Sequence, residues 1–303
     1  MSVKRLPFVL LLIVIALLPV WMIPCAEEPV AQEKEVQVPS EATSPDWLLG
    51  PELLISEAPG MPETERYRPD VAANWVRGEN LVVWHNKWSP HDRDIYARRV
   101  TNDGRLLSWF AIDGPSPNRM QPAVAFNAAD AEYLVVWMHD VSGNSSQFEI
   151  WGKIIAWNGS YQKAPFQIAA WPNRTMWTPR VVWNHNRNEY LVVWNAFDTA
   201  TGLPTDISSA LIRRDGHIID GSNLTTSTSP HQVDVTYSWA TDEYLVVFVR
   251  SYSLGATAND IYGLVVEVKR PQNDVVVKKV VQIHTGAKHQ NAPRVAADGN
   301  GDY

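Results

Sequence analysis

The 303-residue chain carries a single cysteine, Cys25. One thiol cannot build a disulfide framework within the chain or a cysteine-rich zinc module. A basic excess is also missing: 26 Lys and Arg stand against 33 Asp and Glu, a net charge of −7. That balance excludes the phosphate-binding surface of a nucleic-acid protein, so nucleic acid is not an expected partner. Charged residues make up only 19% of the chain against 45% hydrophobic ones, which argues against disorder throughout and leaves ample material for a large core. The chain has no G-x-S-x-G elbow, no phosphate-cradling glycine loop, no C-x-x-C pair and no helical H-x-x-x-H. No catalytic, cofactor-binding or metal-ligating residue is assigned from motifs.

The amino terminus reads as an address. Lys4 and Arg5 form a short basic region, and Leu6 to Pro24 carries no charge, the pattern of a secretory signal. An uncleaved membrane anchor is the alternative, because a bilayer span needs about 20 apolar residues. Cys25 stands where a lipoprotein cysteine would be, but Pro24 before it replaces the small residue such a site wants. The expectation is therefore residues 1–25 as signal or anchor, residues 26–46 as a disordered acidic and Pro-rich linker, and a secreted or envelope-associated body over 47–303. Membrane contact is expected only through the N-terminal segment.

That body is a repeat. Leu81-Val-Val-Trp84, Leu134-Val-Val-Trp137, Leu191-Val-Val-Trp194 and Leu245-Val-Val-Phe248 are one element written four times. Glu79, Glu132, Glu189 and Glu243 precede it, with Tyr133, Tyr190 and Tyr244 between in three copies. Upstream come Pro69, Pro122 and Pro179, with Val233 in the fourth copy; downstream come Asp94-Ile-Tyr96, Glu149-Ile-Trp151, Asp206-Ile-Ser208 and Asp260-Ile-Tyr262. Turn signals follow at Asp103-Gly104, Asn158-Gly159 and Asp215-Gly216. Each unit thus holds four β-segments, A to D, seen in the first copy as Val71–Asn74, Leu81–Trp84, Ile95–Val100 and Trp109–Ile112. No helical period appears after the N-terminal segment.

About 50 residues with four strands is the size of a propeller blade, whereas an immunoglobulin-type sandwich needs about 100 residues. The uniformly apolar L-V-V-W run suits a strand covered on both faces. The predicted fold is an all-β propeller of four-stranded antiparallel blades. Blades are expected at about 67–118, 119–173, 174–229 and 230–290, with partial blades at 51–66 and 291–303 and a truncated sequence. The repeat resembles that of secreted bacterial β-propeller proteins in which Y-L-V-V-W is followed by D-I-Y and a D-G turn. The resemblance covers residues 51–303, and it implies architecture rather than activity.

In such a blade the B–C and D–A loops open on one face, and these vary more than the strands do. The repeated acids Asp94, Glu149, Asp206 and Asp260 are expected in turns and blade-to-blade hydrogen bonds, since copies of one acid at equivalent places offer no asymmetry for acid–base work. Unrepeated acids on the variable face are Asp92, Asp140 and Asp198. His85, His91 and His139 could approach a metal at the channel mouth but are expected to be ordinary loop residues. Asp298-Gly-Asn300-Gly-Asp302 alternates oxygens like a calcium loop, yet turn chemistry explains it. Asn144, Asn158, Asn173 and Asn223 begin glycosylation sequons. Trp88, Trp171 and Trp177 would suit sugar stacking. The first expectation is a non-enzymatic exported module that binds a polysaccharide or surface protein through the B–C and D–A loops. The alternatives are a glycoside hydrolase or lyase on a five-bladed scaffold acting on extracellular polysaccharide, and a purely structural module.

Overall fold

The computed structural model describes residues 53–56, 64–114, 118–160, 163–225, 230–251, 259–285, 289–298, 300 and 302–303. The export segment, Cys25 and the spacer at 26–46 lie outside these residues. Sixteen strands form four antiparallel sheets, each of four strands in chain order from one edge to the other. The first blade is β1 (Glu65–Asn74), β2 (Glu79–Ser89), β3 (Asp92–Thr101) and β4 (Leu106–Asp113). The second is β5 (Arg119–Asn127), β6 (Glu132–Asp140), β7 (Phe148–Ala156) and β8 (Phe166–Ala169). The third is β9 (Arg174–Asn184), β10 (Glu189–Asp198), β11 (Pro204–Arg213) and β12 (Ile218–Thr225), and the fourth is β13 (Pro230–Ser238), β14 (Glu243–Ser251), β15 (Asn259–Lys269) and β16 (Asp274–His284). The fold is an all-β propeller.

The repeated apolar run forms the second strand of each blade, and its tryptophan acts as a wedge. Trp137 joins one core cluster with Leu81, Val83 and Ile95 of the blade before it. Trp194 does the same with Met138 and Ile150, and Phe248 with Leu191 and Ile207. The second, third and fourth blades therefore bury their apolar second strand against the preceding sheet, as a strand covered on both faces requires. The fourth copy departs in sequence at Phe248 but keeps the place of the ring.

Small polar groups stitch the same interfaces. Asn127 and Asn184 close the β5–β6 and β9–β10 turns by accepting from the Ala129 and Arg187 amides at 2.9 and 3.1 Å. Asn184 also donates to the Tyr244 hydroxyl of the next blade at 2.9 Å. At the outer edge, Gly159 turns over Phe110 of the previous blade: with φ at 88°, a Cβ there would meet the ring at 2.7 Å. Only glycine satisfies both the left-handed backbone and that approach. Leu53 stands against Gly104 in the corresponding way, and Arg98 donates to the Ile55 carbonyl at 3.0 Å as Lys153 donates to that of Ile112 at 2.8 Å. At the other end, residues 292–297 lie along β13. The amides of Val295 and Ala297 donate to Asp234 and Thr236 at 3.1 Å each.

Strands run further than their apolar centres suggest. β2 continues through His85 to Ser89 and β10 through Asn195 to Asp198, so the first residues of these expected B–C loops belong to strands. The antiparallel ladder explains this: Tyr67 pairs with His85 and Trp177 with Asn195, so both strands stay hydrogen-bonded past the wedge.

Candidate active site

The innermost strands β1, β5, β9 and β13 share one local fault. Arg68, Gln121, Thr178 and Gln232 adopt φ of 51–53°, and the ladder slips at each of these places. Proline follows in the first three, and it cannot donate to the ladder; the bulge removes that need. Ala292, before Pro293, has the same backbone at φ 52°. The bulges widen one end of the central channel into a cavity of about 590 Å³ lined by all five segments. It opens toward the β2–β3 hairpin end, because the start of β1 pairs with the end of β2.

The residue one step past each bulge faces this cavity. In chain order these are Asp70, Ala123, Arg180, Asp234 and Arg294, of which all but the alanine line the cavity. Two carboxylates and, with Arg68, three guanidiniums thus share a confined space. The Arg180 Nε lies 3.6 Å from Asp234 Oδ1. Asp70 has no ion pair among the described residues, although its charge also interacts with Arg180. Asp70 Oδ2 accepts instead from the Val124 amide of the next blade at 2.9 Å. Burial raises both acids above the usual aspartate range, opposed by these amide bonds and by Arg180. Burial likewise pulls Arg180 down from the usual guanidinium value. The two carboxyls occupy equivalent places yet have unlike neighbours: one leans on a guanidinium, the other does not.

The acids singled out by their absence from the repeat are spent elsewhere. Asp140 is buried and accepts from the Ser142, Gly143 and Ser145 amides at 2.8–3.0 Å. Asp198 accepts from the Ala200 and Thr201 amides, and the Thr201 contacts hold its carboxyl below the usual range. Both organise their own loops rather than line the channel. Asp92 stays beside Asp94, whose carboxyl is pushed up first by burial and then by Asp92.

The repeated acids divide by position. Asp94 and Glu149 accept from Trp88 and Trp151 indoles at 2.9 and 2.8 Å, and Asp206 pairs with Arg174, all within their own blades. In the row preceding the apolar run two acids reach across blades, Glu132 accepting from Tyr190 at 3.4 Å and Glu189 pairing with Arg270, while Glu79 and Glu243 pair with Arg99 and Lys278 of their own blades. The three histidines do not converge. His85 stacks on Tyr67 at 5.6 Å, His139 on Trp151 at 4.6 Å, and His91 contacts Ser145 at 3.2 Å. Among the described residues no group of three His, Cys, Asp or Glu could hold a metal ion. Asp298 accepts from the Asn300 and Asp302 amides at 2.8 and 2.9 Å, closing a turn.

Trp88 and Trp177 are exposed, whereas Trp171 lies half-buried against Trp194 with the Arg174 guanidinium over it. The four sequon asparagines are exposed. The channel acids Asp70 and Asp234 escaped sequence reasoning. Their signal lay in the column after the repeated proline, which reads Asp, Ala, Arg, Asp, Arg while its surroundings stay alike.

No protein-family model matches the chain, and comparison with curated proteins finds no match. Solved structures do match. A Hadza microbial sialidase, Hz136, aligns with a TM-score of 0.52 at 12% identity, over 72% of this chain and 46% of that one. The parainfluenza virus 5 hemagglutinin-neuraminidase ectodomain aligns with a TM-score of 0.50 at 9% identity, over 76% and 57%. An endo-1,5-alpha-L-arabinanase from Thermotoga petrophila reaches 0.46 at 14% identity, over 74% and 61%. The chain spans about half the length of the first two. The expectation of a non-catalytic binding module is corrected here, because the reported structures that align at a TM-score of 0.50 or above are a sialidase and a hemagglutinin-neuraminidase ectodomain. At these identities the likeness shows a shared architecture, and that architecture is the β-propeller.

Proposed function

We propose that this propeller is a glycoside-cleaving enzyme acting on a polysaccharide, with the wide end of the central channel as its active site. The observation that carries the reading is the pair of half-buried carboxyls, Asp70 and Asp234, in one cavity with Arg180 beside only one of them at ion-pair distance. Glycoside hydrolysis needs one carboxyl that keeps its proton and one that is charged. Asp70, without an ion pair among the described residues, takes the acid role and protonates the departing glycosidic oxygen. Asp234, next to Arg180, takes the charged role and attacks the anomeric carbon directly or through a water. The likeness to sialidase and arabinanase folds supports a saccharide substrate, and the expected export segment agrees with a polymer met outside the cytoplasm.

The test is release of reducing ends from a panel of neutral and acidic polysaccharides and aryl glycosides. Activity in the parent that falls by about 10²-fold or more in both Asp70→Asn and Asp234→Asn supports the assignment. Activity that survives in both removes it. An unsaturated product absorbing near 235 nm would instead identify β-elimination, the lyase form of the same reading.

A further inference from the structure

A second, smaller cavity of about 230 Å³ adjoins the first and shares Arg68 and Gln121 with it. Its other walls are Tyr67, His85, Lys87, Arg93 and Met120. Three cationic side chains and one imidazole therefore meet in a protein whose net charge is −7. Opposite charge accounts for only part of this. Glu65 takes up Lys87 at 2.6 Å and also accepts from the Tyr67 hydroxyl at 2.6 Å. Arg93 donates only to neutral acceptors, the Pro90 carbonyl at 2.9 Å and the Asn118 side chain at 3.1 Å. Arg68 makes no hydrogen bond or ion pair among the described residues, and its own backbone is held left-handed at φ 52° on the rim.

Elsewhere on this protein crowded arginines are neutralised. Around the cavity between the third and fourth blades, Arg187, Arg213, Arg214 and Arg270 pair with Asp242, Asp215, Asp130 and Glu189 respectively. Arg68 and Arg93 form no ion pair among the described residues. His85 completes the wall. It is buried, and its Nδ1 accepts from the Gln121 amide at 3.4 Å, which puts the ring proton on Nε2 as a donor. All these groups donate, and an acceptor with several oxygens answers them.

We infer that the Arg68–His85–Arg93 cavity is a subsite for an anionic sugar residue, one bearing a carboxylate or a sulfate ester, held beside the cleavage site. The inference rests on the proposed glycoside-cleaving function and narrows its substrate to acidic polysaccharides. Guanidinium groups bind such oxygens through paired N–H donors.

The experiment reads binding without turnover, so it is separate from the test of hydrolysis. Calorimetric titration of the Asp70→Asn chain uses methyl β-D-glucuronide, glucose 6-sulfate, methyl β-D-glucoside and sodium sulfate as probes. At least one charged sugar is expected to bind tenfold or more tightly than the glucoside. Adding Arg68→Gln or Arg93→Gln should weaken that binding by tenfold or more, while Arg68→Lys retains most of it and Lys278→Gln leaves it unchanged. An unshifted thermal midpoint in each variant certifies the fold. Equal binding of charged and neutral sugars, no binding of any sugar, or indifference to both arginine substitutions overturns the inference. Sodium sulfate binding as tightly as the charged sugars also overturns it, by identifying a plain anion site. Loss of hydrolysis in Asp70→Asn with no preference for charge leaves the proposed function standing and this subsite refuted.

Discussion

The Val124 amide donates to Asp70 Oδ2 at 2.9 Å, so the first blade's channel acid grips the backbone of the second. Asp234 repeats the grip on Val295 at 3.1 Å. Each acid is thus both a structural clasp and a candidate reacting group, and the two roles separate by substitution. Asp70→Asn keeps an acceptor for Val124 and should change stability by no more than about 1 kcal/mol while abolishing turnover. Asp70→Ala orphans the amide and should cost about 1–3 kcal/mol more. Urea unfolding of both variants beside the hydrolysis assay distinguishes clasp from catalyst.

Arg180 supplies the countercharge for the channel. Arg180→Met should destabilise the fold by about 3–5 kcal/mol at pH 7, since buried carboxylates lose their partner. The loss should shrink toward pH 4. Both acids are raised by burial, and raised further without Arg180, so they take up protons in the folded state before they do in the unfolded one. Thermal midpoints of parent and variant at the two pH values give the comparison.

Trp137 and Trp84 end the same repeated run but face different surroundings. Trp137 is wedged between two blades, whereas the core around Trp84 is drawn from its own blade, with Tyr96 and Trp109. Trp137→Ala should cost about 3–5 kcal/mol. Trp84→Ala should cost clearly less. Equal losses in chemical denaturation would contradict the wedge assignment.

Glu132 is buried at the second blade's inner turn, and burial, helped by Asp130, pushes its carboxyl up to about 7. An acid whose folded value exceeds its unfolded one penalises the fold once ionised. Stability from this group should therefore fall as pH rises from about 4.5 to 7. Glu132→Gln keeps the acceptor for Tyr190 and should remove that slope. Tm measured across this window in both proteins, taken as a difference, isolates the effect from other titrating groups such as His85.

Architecture was legible because packing demands repetition. From the second copy on, the apolar run meets a preceding sheet in the same way, so the same residues return at the same spacing, and Phe248 in the fourth copy still fills the gap. The channel was less legible for the opposite reason. Asp70, Arg180 and Asp234 occupy a column where blades differ, and their meaning comes from facing one another across an axis that a linear pattern does not display. Asp140 and Asp198 misled because an unrepeated acid in a variable loop has the same appearance whether it serves a ligand or its own turn. Counting nearby Ser, Thr and Gly amides would have favoured the turn.

The left-handed residue that opens each inner strand separates two kinds of change. The ladder slips at Arg68, Gln121, Thr178 and Gln232, and Ala292 shares their backbone, so their side chains stand outside the ladder, although Thr178 donates to Asn195 and Gln232 accepts from the Ala292 amide. Selection can then alter what the rim recognises while the scaffold beneath inherits its form unchanged. A library randomised at these five places should yield many folded proteins with divergent tastes.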